Sequence, residues 1–366
     1  MSKQLTSKNK ALQKFKKNFW GVSCLVFIVL VSLAGITAYL WIPDNSNNAN
    51  QMALNIQLKS PGFQTKVIEL PNQKQANTLG TFFLGHEHPN EIIPITTYRF
   101  TKDTLHYVPY NAEGKTDLLE KVIPLSTFQQ SKKAEIENTS IYSKMYILGT
   151  DRYGRDLLSR LILGIRISLS IGFVAVFISL IIGITLGAIG GYFGGKTDTF
   201  IMWLINVTWS IPTLLLVIAI TLALGKGFYQ VFIAVGLTMW VEVARIVRGQ
   251  VISVKEMQYI TAARALGFKD ARIIFKHILP NILAPVIVIS AANFAAAILV
   301  ESGLSFLGIG AQPPTPSWGG MIKDHYAYIS LGKPYLAIIP GLAIMLSVMS
   351  FMLIGNALRD ALDVKT

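Results

Sequence analysis

The chain has 366 residues, of which 52% are hydrophobic and 14% charged, with a formal net charge of +13. Soluble domains carry about 25% charged residues, so this composition excludes an ordinary water-soluble globule. The positive charge is not a nucleic-acid footprint either. The first eighteen residues hold Lys3, Lys8, Lys10, Lys14, Lys16 and Lys17 without an acid, a second cluster runs from Arg245 to Lys276, and residues 43–150 carry ten basic and ten acidic side chains that cancel. Basic residues set beside apolar runs are what the positive-inside rule produces.

The basic N-terminus leads into an apolar run from Phe19 to Ile42. A secretory signal has an apolar region of roughly 7–15 residues. This run is longer and ends in Tyr39-Leu40-Trp41-Ile42-Pro43, aromatics suited to a membrane interface, so it reads as a retained span. The single cysteine, Cys24, lies inside it, which excludes a disulfide within the chain and a cysteine metal cluster. Residues 43–150 are polar and charge-balanced. Thr65–Leu70 and Ile95–Phe100 alternate as half-buried strands do. The segment forms either a small β-rich domain or a partly ordered loop. His86 and His88 flank Glu87, which reads as an exposed loop and not as a metal site.

Five more apolar runs follow, at Ile167–Tyr192, Phe200–Leu224, Tyr229–Val247, Ile282–Leu299 and Tyr335–Leu358. Each approaches the ~20 residues that cross the hydrocarbon core as helix. Six spans place both termini on one side. The lysine-rich N-terminus and the Arg245–Lys276 loop then share the cytoplasm, and the 43–150 insert lies outside. Pro212 and Pro285 fall in or just inside spans, where proline removes a backbone hydrogen bond and bends the helix. Gly183, Gly187 and Gly191 recur every four residues on one helix face, a spacing that admits close helix approach. Glu242 and Arg245, three apart on one helix, are expected to pair. Glu301 sits near the outer end of a span, where a carboxylate costs about 2.5–3.5 kcal/mol on insertion scales, so it is expected to face a structural partner in the bundle or the interface.

Residues Gly190–Thr197 fit the phosphate-binding pattern G-x-x-x-x-G-K-[ST]. That pattern needs a strand delivering the loop to a helix N-terminus. Here it joins two apolar runs, so a glycine-rich turn with Lys196 facing inside is expected.

The most informative stretch runs from Tyr259 to Asn281. Residues 255–266 are good helix formers, and Gly267 is a natural helix terminator. A second piece would place Ile274, Phe275, Ile278 and Leu279 on one face and Lys269, Arg272 and Lys276 on another. By physics alone this is an amphipathic element that suits partner docking or a membrane surface equally. The stretch resembles the coupling loop of ABC importer permeases, E-A-A-x-x-x-G followed by nine residues and I-x-L-P. Ala262, Ala263, Gly267, Leu279 and Pro280 match at the right spacing, Thr261 replaces the glutamate and His277 stands at the isoleucine position. Leu148–Asp156, Ile211-Pro212-Thr213, Glu301–Gly308 and Gln312–Gly319 resemble the dipeptide/oligopeptide/nickel branch of that superfamily.

The resemblance implies an all-α polytopic membrane protein of six transmembrane helices with a cytoplasmic coupling-helix loop, interrupted by a small extracytoplasmic insert. Its parts are a basic cytoplasmic N-terminus (1–18), a first helix (19–42), the insert (43–150) and a permease domain (151–366) with its coupling loop at 249–280. It implies a multi-pass cytoplasmic (inner) membrane subunit with both termini cytoplasmic, importing di- or oligopeptides by alternating access. Its partners would be a second homologous permease, two ATP-binding cassette ATPases that use ATP and Mg, an extracytoplasmic substrate-binding protein and membrane lipid, with no nucleic acid. The chain would bind no cofactor or metal itself and would carry no catalytic residue. Ala262, Ala263, Gly267, Leu279 and Pro280 would meet an ATPase, Pro212 and Glu301 would serve gating or structure, and Asp151, Arg152, Arg155 and Asp156 would form a turn-and-helix lid on the outer face. Nickel or another small solute is the alternative cargo within the family. A membrane enzyme or signalling protein acting through residues 43–150 is the alternative of another class.

Overall fold

The computed structural model describes residues 7–72, 79–111, 120–128, 132–225 and 227–362; Lys3 of the basic N-terminus lies outside them. Two helices open the chain, α1 (Ser7–Lys17) and α2 (Phe19–Ile36). A mixed segment follows in the order β1 (Phe63–Leu70), α3 (Leu79–Leu84), β2 (Glu91–Phe100), β3 (Thr104–Pro109), β4 (Lys121–Pro124), α4 (Lys133–Ser140) and β5 (Ile141–Tyr146). The rest is helical: α5 (Leu157–Phe193), α6 (Gly195–Ser210), α7 (Thr213–Leu224), α8 (Phe228–Lys255), α9 (Gln258–Ala265), α10 (Asp270–Ile273), α11 (Leu283–Phe306), α12 (Trp318–His325) and α13 (Tyr335–Leu362). Helices α2, α5, α8, α11 and α13 are long and apolar enough to cross a membrane, and α6 with α7 make a sixth span if the bent pair counts as one.

That pair covers the third apolar run, Phe200–Leu224, and breaks at Pro212, where a proline bend is expected. The two helices meet at 91°. Pro212 has no N–H for the helical ladder, and its ring disfavours helical backbone in the residue before it. Ile211 accordingly sits at φ −94°, ψ 128°, in the extended region. Helix α5 begins ten residues before the apolar run does, because its start is set by a cap. The Asp156 carboxylate accepts from the Ser159 N–H at 2.8 Å, an N-cap satisfying one of the helix's orphan donors.

The chain divides into two compact units, the first made of Met1–Ser32, Ile167–Gln312 and Leu342–Thr366, the second of Leu33–Arg166 and Pro313–Gly341. In the first, the three-glycine face of α5 lies against α8. A Cβ on Gly183 would stand 2.8 Å from the Trp240 carbonyl oxygen, one on Gly187 2.5 Å from that of Ala244, and one on Gly191 2.8 Å from that of Arg248. These neighbours are backbone and cannot swing aside. At the same end of α5, the phosphate-like motif is helix, turn, helix: Gly194 and Gly195 turn at φ +66° and +53°, and Asp198 of α6 receives both Nε and Nη2 of Arg248, at 2.5 and 2.6 Å.

The second unit holds a five-stranded antiparallel sheet in the order β4-β3-β2-β1-β5. Ile68, Ile95, Leu105, Tyr107 and Ile123 pack with Phe128 and with Ile136 of α4, which gives the sheet a covered face. In the turn that leads into α5, Asp151, Arg155 and Asp156 are buried. Asp151 Oδ1 accepts the Tyr153 and Arg155 N–H groups at 2.8 and 3.0 Å, and Oδ2 accepts Arg155 Nε at 2.7 Å. Arg155 Nη1 then donates to Asn50 Oδ1 at 2.9 Å, and Arg160 reaches the carbonyls of Asn48 and Pro314. Burial also pushes the Asp156 carboxyl above the usual carboxylate range and the Lys144 ammonium below its own. The Leu148–Asp156 segment is therefore a buried charged hub around which residues 48–59 are threaded.

Two substitutions test these contacts. Gly187→Ala should destabilise the first unit by about 1–3 kcal/mol through overpacking, seen as a lower melting temperature in detergent. Asp151→Ala should cost about 3–5 kcal/mol by stranding Arg155 as an unpaired buried cation, with faster proteolysis of residues 43–150 as the direct readout.

Candidate coupling surface

Between α8 and α11 the chain folds back on the first unit. Helix α9 ends where the Gly267 N–H donates to the Arg264 carbonyl at 2.9 Å and the Phe268 N–H to the Ala263 carbonyl at 3.1 Å. This paired closure is a Schellman motif and needs a left-handed residue; Gly267 supplies it at φ +74°. Residues Ile274–Ile278 are wound as a π-helix, a wider turn that interrupts α-helical periodicity. Asn281 Nδ2 closes the segment, donating to the Tyr259 hydroxyl at 3.2 Å and the His277 carbonyl at 2.6 Å.

The inner face is apolar and continuous with the bundle. Ile260, Ala263, Ile273, Ile274 and Ile278 pack against Ala188 and Tyr192 of α5 and Val243, Val247 and Val251 of α8. The outer face carries large apolar side chains: Leu266 is 73% exposed and Phe275 70%. The expectation that Phe275 shares a face with Ile274 and Ile278 is thus corrected, because the π turn rotates it outward.

Of the five residues expected to meet a partner, Ala262, Gly267 and Pro280 are exposed, Leu279 is half-buried and Ala263 faces inward. A Cβ on Gly267 would meet nothing within 4 Å, so space is open there. Pro212 and Glu301 do not belong to this surface. Pro212 forms the α6–α7 bend, and Glu301 lies ~27 Å along α11 from its first residue. Glu301 is 1% exposed and accepts from Ser305 Oγ at 2.7 Å. Ser305 Oγ in turn accepts the Ala311 N–H at 3.2 Å, tying the loop after α11 to this carboxylate.

Sequence reasoning missed Tyr192. Its hydroxyl donates to Asp270 Oδ1 at 2.5 Å, and its ring has the Arg264 guanidinium at 5.2 Å and the Lys255 ammonium at 5.9 Å. Cations at that distance from an aromatic face are attracted by it. Tyr192 thus links the end of α5 to α8, α9 and α10 together. The available signal was an aromatic closing an apolar run beside Gly191, within the stretch set aside as a false phosphate motif.

The Glu242–Arg245 pair is corrected as well. The Arg245 guanidinium lies 3.7 Å from the Trp209 ring centroid and reaches toward Asn206. Glu242, in the middle of α8, is exposed and has no ion pair or hydrogen bond among the described residues.

Tyr192→Phe removes the bond to Asp270 and should loosen the loop by about 1.5 kcal/mol, within the range for a hydrogen bond to a charged group. Hydrogen exchange over residues 258–273 should quicken roughly tenfold, with α11 amides unaffected.

The chain is 46% identical over 217 residues to the dipeptide transport system permease protein DppC of Alkalihalophilus pseudofirmus, covering 59% of this chain and 71% of that protein. It is 43% identical over 220 residues to the oligopeptide transport system permease protein OppC of Haemophilus influenzae, covering 60% and 70%. Among solved structures, an inward-facing conformation of the MetNI methionine ABC transporter superposes with a TM-score of 0.47 at 18% identity, over 56% of this chain and 97% of that one. A family model described as the binding-protein-dependent transport system inner membrane component matches residues 183–366, and the chain belongs to that family.

Proposed function

We propose that the chain is the permease subunit of an ATP-driven importer of di- or oligopeptides, working with a second permease, two ATPase subunits and an extracytoplasmic binding protein. The chain is a transport subunit of the inner membrane, multi-pass by its spans, and relatives of 41–46% identity bear the names of dipeptide, oligopeptide and glutathione permeases. The observation that carries the mechanism is the 256–281 segment, anchored to α5 and α8 on one face and presenting Leu266 and Phe275 on the other.

A loop exposed outside the bilayer gains little from bare apolar side chains, whereas a partner groove would bury them. Each ATPase would receive one such loop. Closure of the ATPase pair would push on a body that the Schellman turn and Tyr192 make stiff, so the displacement would pass to α5 and α8 and not be absorbed locally. Rocking of packed helices between two arrangements is the expected gating motion. By the positive-inside rule, the basic residues of the segment favour the cytoplasm for it and for the N-terminus, with the sheet-containing segment outside.

The test is purification of the tagged chain in mild detergent, with co-purifying subunits identified and ATP-dependent peptide uptake measured in liposomes. Gly267→Trp fills the open space at the turn and forces a side chain onto a left-handed backbone. The wild type should bring down a second permease and the ATPases, and the variant should lose the ATPases and at least about tenfold of uptake. A chain recovered alone, with the variant indistinguishable, would overturn the coupling assignment.

A further inference from the structure

We propose that α1 lies along the membrane surface and binds anionic lipid headgroups through its lysines, and that this contact holds the end of α13 in place. Helix α1 reads Ser-Lys-Asn-Lys-Ala-Leu-Gln-Lys-Phe-Lys-Lys, with five lysines and no acid. A basic cluster of this size beside a span is drawn to anionic lipid, each lysine adding to the attraction within a Debye length of the surface. Only Asn18 separates Lys17 from α2. Helix α2 has 18 residues, a length of ~27 Å against a hydrocarbon core of ~30 Å. With so little slack, Phe19 has to stand at the headgroup border, and Lys16 and Lys17 with it.

The side chains agree with that depth. Phe19 is 71% exposed, Trp20 64% and Leu12 54%, and Lys16 and Lys17 are exposed beside them. Bare aromatic and apolar groups interleaved with lysines suit the headgroup region, where long stems bury their methylenes and leave the ammonium among phosphates. An acidic face of an ATPase subunit offers the same charge, but it would leave the aromatics at the start of the span without a partner. Charge alone satisfies the positive-inside rule, yet α1 is also fixed in place. The Gly21 N–H donates to Asn18 Oδ1 at 2.9 Å, an N-cap that starts α2 as a separate helix. Phe15 is buried with Ala357 and Ala361 of α13, and a Cβ on Gly21 would collide with that of Ala357. In the same last turns of α13, Arg359 and Leu362 line a cavity of about 400 Å³ with Ile246 and Gln250 of α8 and Pro285 of α11. Headgroups that hold α1 therefore hold one wall of that cavity.

The experiment reconstitutes the chain with its co-purifying subunits in liposomes of phosphatidylcholine or of an equimolar mixture with anionic phosphatidylglycerol. Both carry a trace of phosphatidylcholine with a nitroxide beside its glycerol. A fluorophore on Leu12→Cys, in a Cys24→Ser background, reports lipid contact by quenching. Quenching should rise with the phosphatidylglycerol fraction and fall back in about 1 M salt, where the Debye length is about 3 Å. Lys16→Gln with Lys17→Gln should weaken binding to the anionic surface about thirtyfold, and Lys16→Arg with Lys17→Arg should restore it. Hydrogen exchange over residues 355–362 should slow in the anionic liposomes.

Equal quenching in the two lipids would overturn the proposal, as would a lipid dependence that the glutamine pair leaves intact. Loss of the ATPase subunits from the glutamine variant, with quenching unchanged, would overturn it by assigning the lysines to a protein contact. Anionic quenching with no slowing of exchange over residues 355–362 would remove the hold on α13. Failure of the peptide reading would leave each of these outcomes as it stands, because α1 is tested against lipid and not against cargo.

Discussion

The approach of α5 to α8 across three glycines is the constraint on which the membrane unit depends. Side chains there would meet carbonyl oxygens at 2.5–2.8 Å, and a carbonyl of a helix cannot move without breaking its ladder. In lipid, where burial of apolar surface drives helix association little, close van der Waals contact of this kind carries much of the packing. The same approach sets Ala188 and Tyr192 of α5 beside Val247 and Val251 of α8, and the apolar face of the 256–281 segment fills the groove between them. Anchoring and helix packing are in that sense one contact surface, and a force on the segment is a force on both helices.

The second unit is organised differently, around charge. Asp151, Arg155 and Arg160 are buried together, and their remaining hydrogen-bonding capacity goes to the backbone and side chains of residues 48–50. Removing charges from water is expensive unless pairing and hydrogen bonds compensate. Here the compensation comes from a distant stretch of chain, so the hub also dictates where that stretch must run. Gly149 and Gly154 permit it: a Cβ at either would collide with the backbone of Lys59 or Ala53.

Two acids on the long helices differ in what the fold gives them. Glu301 is satisfied within its own helix and through Ser305 steadies the following loop. Glu242 has nothing comparable among the described residues and is exposed.

Much was legible in the chain itself. Uninterrupted apolar runs marked α2, α5, α8, α11 and α13 because length and hydrophobicity alone decide what can cross lipid. Alternation over Thr65–Leu70 and Ile95–Phe100 marked strands, Gly267 marked a turn, and Ala262 to Pro280 carried the family likeness. These are local properties, set by each residue's own chemistry and its near neighbours. Pro212 marked a bend, and tertiary structure decided its size of 91°, that Phe275 turns outward on a π turn, that Asp151, Arg155 and Asp156 are buried, and that Arg245 prefers Trp209 to Glu242. Tyr192 belongs with these, since Asp270 is 78 residues away. Each outcome depends on which distant group occupies the adjacent space, and periodicity along one segment carries no information about that.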